Sequence, residues 1–116
     1  MNSVHYTALR SAWNRVNAQK IVNKIILNCS SFKIGKTGDT LDDRLSNYNG
    51  KYNHIDSVFL GRELEVDDME SFLIDKYISH PKCDNKKDGP ASSNDTMAAD
   101  AEMYQVYLVW NEDIII

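Results

Sequence analysis

Residues 30–45, with the sequence SSFKIGKTGDTLDDRL, combine the groups that bind phosphate best. Lys33, Lys36 and Arg44 supply positive charge, and the planar guanidinium of Arg44 can meet two phosphate oxygens at once. Gly35 lies within a predicted strand, where a glycine indicates close approach of a ligand or backbone, or a β-bulge. The stretch therefore predicts a phosphate-binding surface, with an ordinary solvent-exposed role as the alternative for each of the three cations.

The triplet that begins at Gly35 also matches the end of a P-loop, a nucleotide-binding motif that has a first glycine five residues earlier. In this sequence Ser30 occupies that position. The first glycine lets backbone N–H groups curl around the phosphates, and a P-loop leads directly into a helix. Here Gly38 and Asp39 predict a turn instead, so the pattern disfavours a nucleoside triphosphate site.

The hydrophobic pattern predicts the elements that position these residues. Apolar side chains at helical spacing predict a helix over residues 5–20. The segment 22–27 fits either a continuation of this helix or a strand, and a hairpin of 22–27 with 32–36 is favoured because the segment is short and β-branched. Further elements are predicted as a short helix capped by Thr40 and ending near Asn49, a strand over 54–60, a helix over 67–79 and a strand over 102–110.

These elements predict a single α+β domain over residues 1–116, with a small, mainly antiparallel sheet of three or four strands flanked by helices. A helical segment over 1–20 precedes a core over 22–110. Residues 81–101 show no periodicity, and a loop of that length predicts a functional or mobile segment.

The composition is that of a globular domain, with 42% hydrophobic and 26% charged residues. No apolar run approaches the roughly 20 residues that span a bilayer. Cys29 and Cys83 lack CxxC partners and the histidines are scattered, so no zinc site is expected. Two free thiols in a reducing cytosol are favoured over a disulfide, which predicts a cytoplasmic protein.

The net charge of −4 is divided unevenly along the chain. Residues 1–62 carry nine Lys/Arg and four Asp/Glu, a net +5, whereas residues 63–116 carry four and thirteen, a net −9. The acidic total disfavours non-specific nucleic-acid binding by the whole chain, but the basic half can supply a local binding face. Mutual neutralisation of the two halves in the fold is the alternative.

The order of motifs resembles the GIY-YIG nuclease family, especially its phage and prokaryotic subgroup with Lys-Ile-Gly-Lys-Thr in the second motif. Here Lys33–Thr37 match that motif, and Arg44 follows on a predicted helix. Asp68–Ile74 resemble the helix that carries the family's metal-binding Glu, and Ala101–Val106 resemble its closing strand. The resemblance covers roughly residues 22–110.

The resemblance implies a magnesium-dependent DNA endonuclease that hydrolyses phosphodiester bonds. Such chemistry needs a cation against the developing charge and a metal ion near the reacting oxygens. By the resemblance, Arg44 is the catalytic cation and Glu70 the catalytic ligand of Mg²⁺, with DNA favoured over RNA. Asn85 lies near the place of the family's late Asn. Read locally, the pattern Asp67-x-x-Glu70 is instead a helix cap.

Two departures from the family keep other functions open. Residues 21–28 contain no counterpart of the first-motif tyrosine, and Lys33 replaces the second-motif tyrosine. The alternative prediction is a non-catalytic protein of this fold that binds nucleic acid or a nucleotide-like phosphate ligand, as a phage regulatory or inhibitory protein. A third prediction is a protein-interaction module that docks a partner with the helix over residues 5–20, supported by the Trp13 stripe and the acidic second half of the chain. The candidate replacements for the missing tyrosines are Tyr6, Tyr48, Tyr52, Tyr104 and Tyr107.

Overall fold

A four-stranded sheet with helices on both faces forms the fold in the computed structural model, which describes residues 3–5, 14–85 and 104–112. The elements along the chain are β1 (Ser3–His5), α1 (Arg15–Ile26), β2 (Cys29–Thr37), α2 (Leu41–Ser46), β3 (His54–Gly61), α3 (Glu63–Tyr77) and β4 (Tyr104–Glu112). The sheet order is β1-β3-β4-β2; β4 is antiparallel to both β2 and β3, and β1 is parallel to β3. This arrangement confirms the predicted α+β class.

Helix α1 includes most of the segment that was expected to be a strand, so the predicted hairpin of 22–27 with 32–36 is wrong. Apolar side chains along α1 follow the spacing i, i+3, i+4 and i+7, which places them on one face against the sheet. Burial of that face outweighs the β-propensity of the individual residues. The residues of the face are Ala18, Ile21, Val22 and Ile25.

The helix predicted over residues 5–20 is confirmed from residue 15 onward. His5 lies instead in β1, which hydrogen-bonds to β3. Residues 6–13 and the side chain of Trp13 lie outside the described part of the chain, so the interaction-module prediction stays a prediction.

Helix α3 begins at Glu63, four residues before the predicted start at 67. Arg62 is its N-cap, and the backbone N–H of Arg62 donates to Oε1 of Glu65 over 3.0 Å. Glu65 therefore provides a hydrogen-bond acceptor for a backbone N–H at the start of the helix. The interpretation of Glu70 as a capping residue is wrong, because Glu70 lies in the helix interior and is fully buried.

The remaining elements agree with the predictions within a few residues. Thr40 caps α2, and its hydroxyl accepts the backbone N–H of Asp43 over 3.2 Å. Asn49 and Gly50 reverse the chain with positive φ angles of 54° and 82°. The strands predicted over 54–60 and 102–110 are confirmed as β3 and, from Tyr104 onward, as β4.

The sheet has a separate hydrophobic core on each face, because successive strand residues point to opposite sides. We call these sides the α3 face and the α2 face. On the α3 face, α1 and α3 pack against residues that include Phe32, Ile34, Val106 and Leu108. On the α2 face, Leu41 and Leu45 of α2 pack against residues that include Ile55, Tyr107 and Val109.

Strand β2 lies at an edge of the sheet, and residues 82–85 cover part of that edge. The Phe32 N–H donates to the carbonyl of Lys82 over 2.9 Å, and the Asp84 N–H donates to the carbonyl of Phe32 over 2.7 Å. Asn85 continues this pairing with its side chain. Its Oδ1 accepts the Ile34 N–H over 2.9 Å, and its Nδ2 donates to the Ile34 carbonyl over 3.0 Å.

This pairing accounts for the first residues of the loop predicted over 81–101; residues 86–101 lie outside the described part of the chain. Cys29 and Cys83 are free thiols, as predicted. Within the described ranges, no helix combines the length and apolar character needed to cross a bilayer.

Replacement of Asn85 by Ala should lower the free energy of unfolding by about 1–3 kcal/mol, because two hydrogen bonds to the edge of β2 are lost. Asn85→Asp is the matched comparison, since it keeps an acceptor for the Ile34 N–H and loses the donor to the Ile34 carbonyl. Chemical denaturation measures the stability, and hydrogen exchange at the Ile34 amide measures local opening. Unchanged stability and unchanged exchange in Asn85→Ala would contradict this assignment.

Candidate phosphate-binding site

Alternation along β2 divides the residues that the sequence assigned to phosphate binding. Lys33 and Gly35 lie on the α2 face, where Arg44 also lies. Lys36 has the opposite parity and lies on the α3 face, where its side chain is only 2% exposed. The structure therefore brings Lys33, Gly35 and Arg44 together and places Lys36 on the other side of the sheet.

Arg44 is held at the sheet by a chain of hydroxyl groups. Its Nε donates to the hydroxyl of Tyr107 over 2.9 Å, and the hydroxyls of Tyr107 and Tyr48 lie 2.6 Å apart. Local sequence explains the placement, because Arg44 borders the buried stripe of α2 and Tyr48 follows it by four residues in the turn that ends the helix. We call Lys33, Arg44, Tyr48 and Tyr107 the Arg44–tyrosine cluster.

The positive groups of the cluster also contact aromatic rings. Nζ of Lys33 lies 5.8 Å from the ring centre of Tyr48. The guanidinium carbon of Arg44 lies 6.0 Å from the ring centre of Tyr48 and 5.7 Å from that of Tyr107. Cation–π attraction at these distances favours the close approach of two cations to one half-buried tyrosine.

Gly35 makes room for Tyr107. The two residues are direct partners in the antiparallel pairing of β2 and β4. A Cβ atom at position 35 would overlap Oη and Cζ of Tyr107. The register shift in β2 lies between Cys29 and Ser31, so Gly35 does not mark a bulge. It gives the Tyr107 ring a place to lie over the strand.

Burial keeps the inner tyrosines protonated. It raises the pKa of Tyr107 well above its usual value, the neighbouring Tyr48 raises it further, and Arg44 only partly opposes the shift. Burial and a 2.6 Å hydrogen bond to Asp84 likewise raise the pKa of Tyr52. For Arg44, partial burial lowers the pKa, but the hydroxyls of Tyr107 and Tyr48 raise it by more. Arg44 is charged, and Tyr52 and Tyr107 are hydrogen-bond donors rather than bases.

A count of donors shows which hydroxyl can serve a ligand. The Tyr107 hydroxyl accepts from Arg44 and has one proton to donate. Within the described part of the chain, its acceptor is the Tyr48 hydroxyl. A buried proton without an acceptor is costly, so Tyr107 donates to Tyr48. The proton of the half-buried Tyr48 hydroxyl is then left to donate to a bound oxygen.

Two acidic residues of α3 surround Lys36 on the α3 face. Nζ of Lys36 lies 2.7 Å from Oδ1 of Asp67 and 3.8 Å from Oε1 of Glu70. Glu70 has no exposed surface. Arg44 and Glu70, the predicted catalytic pair, therefore lie on opposite faces of the sheet and form no ion pair with each other.

These residues do not fit the magnesium ion that the resemblance implies. Mg²⁺ requires oxygen ligands at about 2.0–2.1 Å in octahedral order, whereas Lys36 already places an ammonium beside Glu70. The two cations would repel each other, so the lysine disfavours a metal ion at this carboxylate. Within the described ranges, no three His, Cys, Asp or Glu side chains converge in a way that could hold a metal ion.

The other residues that the sequence singled out have different surroundings. Of the candidate tyrosines, Tyr48 and Tyr107 contact Arg44, whereas Tyr52 packs edge-on against Tyr48 and Tyr104 belongs to the core of the α3 face. Tyr6 lies outside the described residues. Asn85, matched above to a family Asn, contacts the backbone of β2. No sequence signal distinguishes Tyr107 from the other candidate tyrosines, because its position beside Arg44 depends on the register between β2 and β4.

Comparisons of the chain with protein-family models, with curated proteins and with solved structures found no match in any of the three sets. The resemblance to the GIY-YIG family therefore stays a prediction.

Replacement of Gly35 by Ala should lower the free energy of unfolding by about 1–3 kcal/mol, because the added methyl group overpacks the site of the Tyr107 ring. The same substitution in a Tyr107→Leu background should cost less, since the ring is gone. Denaturant titration of the four proteins gives the coupling between the two positions. Equal costs of Gly35→Ala in both backgrounds would contradict the proposed role of Gly35.

Proposed function

We propose that the chain binds nucleic acid by contacting backbone phosphates with the Arg44–tyrosine cluster, without hydrolysing them. The observation that carries the proposal is the environment of Arg44. Its guanidinium is oriented by tyrosine hydroxyls and forms no ion pair with a carboxylate of the described residues. A guanidinium that is held in place but not neutralised is a strong phosphate ligand.

Two further cations support a surface of this kind. Lys33 lies over the ring of Tyr48, and Lys51 lies 5.6 Å from the ring centre of Tyr52. The rings of Tyr48 and Tyr52 pack edge to face at 5.2 Å. Positive charge beside an accessible aromatic ring is typical of surfaces that bind single-stranded nucleic acid. Tyr48 is the accessible ring here, whereas Tyr52 and Tyr107 are buried beneath it.

The acidic total charge is compatible with this proposal. All three cations of the surface come from residues 1–62, the half with a net charge of +5. Phosphate contacts act over about 10 Å at ordinary salt concentrations, so a local cluster attracts a phosphate even when the chain is acidic overall. Binding is then strongly salt-dependent.

The placement of Glu70 favours binding over hydrolysis. A hydrolytic site needs its cation and its carboxylate at one phosphate, and Arg44 and Glu70 lie on opposite faces of the sheet. The raised pKa of Tyr107 also makes this tyrosine a poor base. The non-catalytic alternative therefore agrees better with the geometry than the endonuclease prediction does.

Arg44→Ala should weaken binding of labelled single-stranded DNA by about 10-fold or more, since a charge-assisted contact to phosphate is lost. It should also reduce the slope of log affinity against log salt by about 1. The affinity of Arg44→Lys should lie between those of the wild-type protein and Arg44→Ala, because lysine keeps the charge and loses the planar guanidinium. Fluorescence anisotropy over a salt series measures both quantities, for DNA and RNA in parallel.

Lys24→Ala is the matched control, because it removes the same charge from the exposed end of α1. Equal losses in Arg44→Ala and Lys24→Ala would point to net charge rather than to this site. Absence of binding to DNA and RNA at low salt would refute the proposal. Cleavage of DNA with Mg²⁺ or Mn²⁺ that is lost in Glu70→Gln would favour the endonuclease instead.

Tyr48→Phe should weaken DNA binding by roughly 3- to 10-fold, the range expected for one hydrogen bond. The ring and its contacts with the cations are kept, but the buried Tyr107 hydroxyl loses its acceptor, so the free energy of unfolding should also fall by about 1–3 kcal/mol. Tyr52→Phe is the comparison for loss of a neighbouring hydroxyl, which donates to Asp84 and not to the ligand. A Tyr48→Phe protein with full affinity would contradict the donor role of Tyr48.

A further inference from the structure

Lys36 provides a buried positive charge to two carboxylates of one helix. Asp67 and Glu70 lie three residues apart on α3 and so project from the same side of the helix. The Lys36 ammonium lies 2.7 Å from Asp67 Oδ1 and 3.8 Å from Glu70 Oε1, and the side chain of Lys36 is 2% exposed. Glu70 has no exposed surface, whereas Asp67 is 34% exposed. The cluster of Lys36, Asp67 and Glu70 therefore contacts solvent at Asp67.

The burial of the Lys36 side chain needs a physical explanation. Lysine is almost never fully buried unless it is paired, because removal of an ammonium from water carries a large free-energy cost. The carboxylates offset that cost only while the ammonium lies beside them. The same applies in reverse to Glu70, because a buried carboxylate needs a neighbouring positive charge. Lys36 and Glu70 are therefore mutually dependent, and the partly exposed Asp67 makes the shorter contact with the ammonium.

One or two carboxylates completed by water molecules are also the usual protein ligands of a divalent cation. We propose that the Lys36 ammonium takes the place of a divalent cation at the Asp67–Glu70 pair. The chain is then independent of metal at this position, and removal of the lysine converts the pair into a divalent-cation site. This inference does not depend on the proposed nucleic-acid binding, since it concerns the opposite face of the sheet.

Lys36→Ala tests the inference because it removes the charge and opens space for an ion with its waters. Mn²⁺ should raise the Tm of Lys36→Ala by roughly 5 °C when it is present at about tenfold above its Kd. Mn²⁺ should also broaden the amide signals of Asp67 and Glu70 selectively in NMR spectra. Wild-type protein should show neither effect, and Lys36→Ala with Glu70→Gln should lose the Tm rise.

Two matched variants isolate the cause. Lys36→Met removes the charge but fills the space, so Mn²⁺ should raise its Tm less than that of Lys36→Ala. Lys33→Ala removes the same charge on the α2 face of the same strand and should leave the signals of Asp67 and Glu70 sharp. Failure of Mn²⁺ to raise the Tm of a folded Lys36→Ala protein would overturn the inference.

The wild-type spectrum keeps the inference testable if Lys36→Ala does not fold. Saturable Mn²⁺ broadening at Asp67 and Glu70 in the wild-type chain, lost in Glu70→Gln, would mean that a divalent ion binds beside Lys36. That result overturns the inference. Sharp signals for both residues at Mn²⁺ concentrations that broaden exposed acidic positions support it.

Discussion

Gly35 on β2 lies directly opposite Tyr107 on β4, and the arrangement of the α2 face depends on this pairing. The missing Cβ lets the Tyr107 ring lie over the strand. The ring carries a hydroxyl that accepts from Arg44 and reaches Tyr48. Because each partner comes from a different element, the register of one pair of strands determines where the guanidinium of α2 is held.

Two lysines of strand β2 lie on opposite faces of the sheet and have different surroundings. Lys33 lies beside the half-buried Tyr48 and adds charge to a surface that a ligand can reach. Lys36, three residues later, is buried and lies beside the carboxylates of Asp67 and Glu70 on α3. In the sequence, both are basic residues close to Gly35. Strand alternation separates them, and this rule could have been applied to β2 before the fold was known.

Much of the fold could be predicted because its signals are local. The cap at Thr40, the strand over 54–60 and the strength of β4 follow from spacing and propensity within each segment. The end of α1 was missed because tertiary contacts outweigh such signals: it has a β-branched composition but buries a helical stripe against the sheet. The start of α3 was missed for another reason. The capping by Glu65 is local, but the N-cap residue is Arg62 rather than a Ser, Thr, Asp or Asn.

The sequence by itself determined the α+β class, the concentration of positive charge in residues 1–62 and the identity of Arg44 as a phosphate ligand candidate. Only the tertiary structure decided which groups act together. The order of motifs along the chain suggested that Arg44 and Glu70 act together. That order does not indicate on which face of the sheet each side chain lies. Side chains reach the same place only through strand register and helix packing, and these put Arg44 with two tyrosines and Glu70 with Lys36.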